Sequence, residues 1–416
     1  VTALVWALLL AAQPPAASNA EDELDRALAE AGTSVIDYAR ALERHLKRYP
    51  ASPQRAEIER VLAQAAADLR DRRLLLEYGV RAVEAGSRSL QLLDQVTRAL
   101  LDSGEKRAQE RALQYARLLV QALEKEREQQ LQGAYRPLAG RRLDETEYAL
   151  ARAHTMEARA LDNLGRTEEA LAAALAGWQA CPTVDNARER ARILERAGRL
   201  QEALNAAAES IALGSDRTGE PVPKRDRERL ASLARRARGD ETAFARPLLD
   251  AYDRVAALQA ARQQRLKALD ANFGARTPGE FTLTATQGEP LALASLKGKV
   301  VVLDFWATWC APCRAQHPLY EQVRQRFRGR SDVVFLPVAT DEERSAVAPF
   351  LQKQGWGPLS YFDDGLGSLL KVNSIPTTVV LDRQGNVFSR MNGFIADRFV
   401  EMLSERIREA LEAPAP

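Results

Sequence analysis

The sequence predicts a multidomain chain: an all-α helical-repeat solenoid followed by an α/β domain with a mixed sheet covered by helices. Three observations carry that prediction. From 21 to 273 the chain is rich in Ala, Leu, Arg and Glu, with apolar residues at helical spacing and few β-branched runs. Within that stretch Gly165-Arg-Thr-Glu-Glu-Ala-Leu171 returns as Gly198-Arg-Leu-Gln-Glu-Ala-Leu204, a shift of 33 residues. Periods of this size mark stacked helix pairs. Beyond 280 the character changes, and VVVLDFW, DVVFLPVATD and TTVVL are apolar, β-branched runs of strand length alternating with helical segments.

Taken in order, residues 1–20 open with an apolar stretch, then Pro14-Pro15 and small residues, then acid. That is the shape of a secretory signal cleaved near Ser18 or Ala20. The apolar stretch is too short for a membrane span, which takes about 20 residues. In the region 21–273, a helix is expected to end before each repeated glycine, at Leu161–Leu164 and Ile193–Ala197, and a second helix to follow. Cys181-Pro182 closes the first pair, and Cys181 reads as a small packing residue rather than a redox thiol. The 33-residue shift resembles the 34-residue tetratricopeptide repeat, with less regular units near Tyr49-Pro50 and Gly104–Tyr115. Such pairs stack because none buries its apolar face alone. The run Gly239–Phe273 carries the helices to a linker at 274–279, where Pro278 and two glycines mark a boundary.

The second domain, 280–413, begins with a short hairpin in FTLTATQGEPLALA. A strand ends at Phe305, a turn carries Trp306 and Trp309, and a helix begins near Cys310. Asp332–Asp341 reads as a central strand despite Pro337, and Ser345–Gln354 as a short helix. Thr377–Leu381 is a strand entered through Ile375-Pro376, a position where Pro loses no ladder bond. Asp382–Asn386 is a turn with Gly385 at positive φ. Phe399, Val400, Leu403, Ile407 and Leu411 line one face of a closing helix over Arg398–Leu411.

The chemistry concentrates at Cys310-Ala-Pro-Cys313. A helix starting there aims its free N–H groups and positive dipole end at Cys310, which predicts a depressed thiol pKa. Two cysteines across one helical turn close a short disulfide and cycle without large motion. The pair is not half of a zinc site: Cys181, His45, His154 and His317 supply no second pair at ligand spacing. No metal or bound cofactor is expected, the redox group being the Cys310–Cys313 disulfide itself. Cys310, beside an exposed Trp309, reads as the attacking thiolate, and Cys313, expected to lie further from solvent, as the resolving thiol. Asp304 sits in an otherwise apolar strand, so desolvation should raise its pKa and fit it to shuttle the resolving proton. His317 reads as a solvated helix residue.

These motifs together resemble the thioredoxin superfamily, and within it the extracytoplasmic thiol–disulfide oxidoreductases of the TlpA and ResA type. The resemblance covers about the last third of the chain, through the Leu-Lys-Gly-Lys lead-in, CAPC, and NSIPTTVVLDRQGNV. It implies a cis peptide bond at Ile375-Pro376 facing the disulfide. It also implies substrate contact by Trp309, Pro312, Ile375 and Pro376, and makes Asp304 the counterpart of the buried acid of thioredoxins. ResA-like proteins commonly carry Glu three residues after the second cysteine. Here Gln316 stands in that place and cannot titrate, which leaves Asp304 to supply the acid–base chemistry.

Charged residues make up 28% of the chain but the net charge is only +2. From Ala275 onward basic and acidic residues number 16 each. Neither part is a polyanion binder by charge, and a nucleic-acid role has no support. The expected protein is an exported, periplasmic thiol–disulfide oxidoreductase acting on protein thiols and disulfides. The Ala-Pro dipeptide between the cysteines, close to thioredoxin's Gly-Pro, favours a reductant that draws on a separate electron donor. Its repeats are expected to hold a protein partner. The alternative is a non-catalytic adaptor that binds through the repeats, and intact Cys310, Cys313, Asp304 and Pro376 argue against it.

Overall fold

The computed structural model describes residues 19–132, 139–215 and 222–413. The expected secretory signal lies, but for its last two residues, outside them. Among the described residues no helix is long and apolar enough to cross a membrane.

The chain opens with α1 (Asn19–Ala31), α2 (Val35–Arg48), α3 (Arg55–Leu69) and α4 (Arg72–Leu74). A π-helical turn at Leu75–Gly79 leads into α5 (Val80–Glu84), then α6 (Leu90–Leu101), α7 (Lys106–Gln132) and α8 (Ala139–Asn163). The most regular part follows: α9 (Thr167–Ala180), α10 (Val184–Arg196), α11 (Leu200–Ser215), α12 (Lys224–Arg238) and α13 (Ala245–Leu269). Gly165 and Gly198, at φ 79° and 75°, make the left-handed turns between α8 and α9 and between α10 and α11. Glycine adopts that region without steric cost, which is why the motif recurs around it.

Successive first helices of the pairs are tied by ion pairs whose carboxylates lie beneath their arginines. Asp94 of α6 meets Arg152 of α8 at 2.9 Å. Glu189 of α10 meets Arg159 of α8 at 3.2 Å, and Asp162 of α8 meets Arg192 and Arg196 of α10 at 2.9 and 2.6 Å. Asp226 of α12 meets Arg188 of α10 at 2.5 Å, and Glu195 of α10 meets Arg229 of α12 at 3.0 Å. Asp94, Asp162, Glu189 and Asp226 are buried, and a buried carboxylate needs such partners. Cys181 is buried at the end of α9, as a packing residue would be.

Two compact units emerge from the packing. Among the described residues, one comprises 19–132, 145–215 and 222–259, the other 139–144 and 260–413. Residues 274–279 therefore fall within the second unit. The reason is local: the buried Asn272 amide donates to the Thr282 and Asp364 carbonyls and accepts from Thr282 N–H, and Ala275 packs on the sheet's core.

The second unit holds a hairpin of β1 (Thr282–Leu283) and β2 (Leu291–Ala292), then β3 (Val300–Trp306) and α14 (Ala311–Arg326). Next come β4 (Val333–Ala339), α15 (Val347–Gln354), β5 (Tyr361–Phe362) and α16 (Leu366–Leu369). β6 (Thr377–Leu381), β7 (Val387–Asn392) and α17 (Ala396–Glu412) complete it. The five-stranded sheet has the order β5-β4-β3-β6-β7, with β3 parallel to β4 and antiparallel to β6. Pro337 is tolerated in β4 because pairing with β5 begins only at Val338.

Strand β3 is buried along its whole length, and side-chain alternation sorts its residues between two cores. Val301, Leu303 and Phe305 join the cluster with Phe281, Leu336 and Val379. Val300 and Val302 join the cluster under α14 and α17, with Tyr320, Val323, Val380 and Phe399. Asp304 shares their parity, so the pleat turns a carboxylate toward α14.

Candidate active site

Cys310 is the N-cap of α14, and its Sγ accepts the Cys313 backbone N–H at 3.1 Å. Pro312 sits in the first helical turn, where no N–H is needed. The two cysteines form a disulfide, with Cα atoms 5.3 Å apart. The turn before them is held from the neighbouring strand's end: the buried Asp341 carboxylate accepts Thr308 N–H at 3.1 Å and Thr308 Oγ1–H at 2.5 Å. Arg314 Nη1 donates to the Thr308 carbonyl at 3.1 Å, placing a cation on the same turn.

Both sulfurs are covered. Cys310 is 3% and Cys313 4% exposed, so the expected difference in solvent access is absent in the disulfide state. Both lie in one apolar cluster with Trp306, Ala307, Val347, Leu351 and Phe362, against which Ile375 also packs. What separates the two cysteines is position on α14, since only Cys310 caps it. Trp309 projects with 70% of its surface exposed. It lines, with Thr340, Lys371, Asn373, Ser374 and Ile375, a groove of about 840 Å³. The Ile375–Pro376 peptide is cis. Pro376 is buried, its carbonyl accepting Gly393 N–H at 2.7 Å, and Pro312 is exposed; neither lines that groove.

Asp304 is buried below α14. Its Oδ1 accepts Gln316 Nε2–H at 2.8 Å and Thr378 Oγ1–H at 3.1 Å, Thr378 being its partner across β6. Burial pushes the Asp304 carboxyl up to about 7, against the two hydrogen bonds, which act to lower it. The amide at 316 thus replaces a titrating neighbour with a donor to the one carboxylate. Asp304 and Cys313 line a common small cavity. His317 is not a solvated helix residue: its ring stacks on Trp356 at 3.5 Å between centroids, and burial lowers its pKa. Trp356 arrives from the segment between α15 and β5, whose approach to α14 no local pattern announces.

A thioredoxin-like family model matches residues 298–387. The chain is 30% identical over 122 residues to the thiol–disulfide oxidoreductase ResA of Bacillus subtilis, covering 29% of this chain and 68% of that protein. This chain belongs to the thioredoxin-like family. The thioredoxin-like domain is also 33% identical over 108 residues to the thioredoxin-like protein YneN of Bacillus subtilis, covering 26% of this chain. The chain spans 64% of YneN's length. A solved structure of a secreted Mycobacterium tuberculosis disulfide oxidoreductase is similar at 31% identity, over 31% of this chain and 94% of that one, with TM-score 0.27. The thioredoxin-like domain is an oxidoreductase domain of this family.

Sequence reasoning missed three residues of the site. In the sequence Asp341 reads only as the end of a strand, although C-terminal ends of neighbouring parallel strands converge on sites in such sheets. Trp356 and Tyr320 carried no signal beyond being aromatic.

Proposed function

We propose that the protein is an exported, periplasmic thiol–disulfide oxidoreductase that reduces protein disulfides through Cys310 and Cys313, while its helical repeats hold a protein partner. The observation that carries this reading is the cysteine pair at the start of α14, with Cys310 as its N-cap, beside a buried carboxyl with a pKa of about 7. Starting from the dithiol, Cys310 thiolate attacks one sulfur of a substrate disulfide. The substrate S–S bond breaks, a Cys310–substrate disulfide forms, and the departing thiolate takes a proton. Cys313 then loses its proton to the Asp304 carboxylate and attacks Cys310 Sγ. The mixed disulfide breaks, the second substrate thiolate leaves and takes a proton, and the Cys310–Cys313 disulfide remains.

Two electrons have passed to the substrate, and a separate dithiol donor must return the site to its reduced form. The first N–H groups of α14, Cys313 N–H among them, favour negative charge on Cys310 Sγ and select it as the attacking atom. Trp309 and Ile375, lining the open groove beside the pair, are placed to take an extended substrate segment.

Trapping tests this reading. Cys313→Ser leaves Cys310 able to attack but removes resolution, so stable mixed disulfides with exported proteins are expected and should disappear on adding dithiothreitol. Recovery of partners by the wild-type chain with none trapped by Cys313→Ser favours the non-catalytic adaptor.

A further inference from the structure

Between Asp304 and the outer side of α14 lies a cavity of about 40 Å³. It is lined by the buried Asp304, Trp306, Cys313 and Tyr320 and by the more exposed His317, Glu321, Arg324 and Trp356. Tyr320 is 1% exposed, and its Oη has no hydrogen-bond partner among the described residues. Gln316 Oε1, on the amide bonded to Asp304, is likewise buried and unpartnered. A buried hydroxyl left without a partner carries the full cost of its desolvation, which a bound water relieves. One water requires about 10–15 Å³ measured this way and two to four polar neighbours. The cavity exceeds that volume and supplies the neighbours.

We propose that this cavity holds water joining the Asp304 carboxyl to Tyr320 Oη and, past the His317–Trp356 stack, to solvent at Glu321 and Arg324, and that the proton taken from Cys313 leaves by this route. The proton passes from Cys313 Sγ–H to Asp304, from the Asp304 carboxylic acid to a cavity water, and from that water to solvent. No electron moves in this step. Tyr320 acts through the water it orients and is a positioning residue. Gln316 of α14 and Thr378 of β6 bond the carboxyl, and Cys313, His317, Tyr320, Glu321 and Arg324 of α14 line the cavity with it. Trp356 stands over the rim and Pro337 of β4 closes the wall. His317, its pKa lowered by burial, is neutral at neutral pH and does not block the rim with positive charge.

The inference rests on Asp304 as the proton acceptor, and the experiment separates the two. The reduced full chain is mixed with Ellman's reagent in a stopped-flow instrument. Release of the second thionitrobenzoate reports Cys313 attacking the Cys310 mixed disulfide, followed across about pH 5 to 9. Tyr320→Phe keeps the ring and removes the hydroxyl. It is expected to slow that release about tenfold and move its pH midpoint away from that of wild type. Asp304→Asn is expected to abolish the midpoint altogether. An unchanged rate and midpoint in Tyr320→Phe, with the midpoint lost in Asp304→Asn, overturns the route while leaving Asp304 in place. No change in either variant removes Asp304 from the mechanism and the route with it. Independently of any variant, magnetisation transfer from water to the Tyr320 ring protons is expected in wild type, and its absence overturns a hydrated cavity.

Discussion

Asp304 holds a carboxyl whose ionisation the fold resists, and that has a thermodynamic signature. Its folded pKa, raised to about 7 by burial, exceeds the ordinary value near 3.8 that the unfolded chain displays. As pH climbs between those values the unfolded state sheds the proton and the folded state keeps it. Stability therefore falls with rising pH in that window and levels off above it, by up to about 4 kcal/mol. Asp304→Asn removes this slope, so denaturant melts of the variant should show higher stability relative to wild type at pH 8 than at pH 5. Its turnover near neutral pH should nevertheless drop. Turnover that stays at the wild-type level across about pH 6 to 9 would exclude the carboxyl from proton transfer. The burial of Asp304 was legible because VVVLDFW leaves a single polar residue in an apolar strand. Its bond to Gln316 was not legible, because a pairing 12 residues distant depends on how α14 lies across the sheet. Reading His317 as solvated failed for the same reason, since Trp356 reaches it from a segment remote in sequence.

At the scale of elements, α14 gathers its chemistry at one end and its packing along one face, and the sequence showed both. The Cys-x-x-Cys at the strand-to-helix turn announced the cap, and the recurrence of the motif at Gly165 and Gly198 announced the repeated turns, which both glycines make at positive φ. Earlier helices escaped assignment because a π-helical turn interrupts α4 and α5, and α7 and α8, at 27 and 25 residues, exceed the usual repeat helix. Local pattern could not reveal the ion pairs between first helices, since each joins residues 30 to 58 positions apart across a packed interface. Asp162→Ala should leave Arg192 and Arg196 facing a vacated site and cost about 2 kcal/mol. That is less than the roughly 3–5 of a fully buried pair, because Arg196 reaches water. Chemical denaturation followed by circular dichroism would measure it, and a midpoint equal to wild type would mean that the pairs are incidental.

For the whole molecule, the direction of electron flow is decided by one equilibrium. Against glutathione or dithiothreitol buffers the Cys310–Cys313 couple of the full chain is expected to poise near the thioredoxin value of about −270 mV. A poise near that of DsbA, about −120 mV, would make the protein an oxidant and reverse the assignment of donor and acceptor. The carboxylates of the helical region carry a further consequence. Stacks of helix pairs ordinarily behave as nearly independent links, free to fray from either end. Here each link from α6 to α12 shares a buried carboxylate with an arginine of its neighbour, so opening one pair strips a partner from an ion in the next. The links are thereby coupled, and heating should melt this stretch in a single cooperative step rather than peel it from its ends.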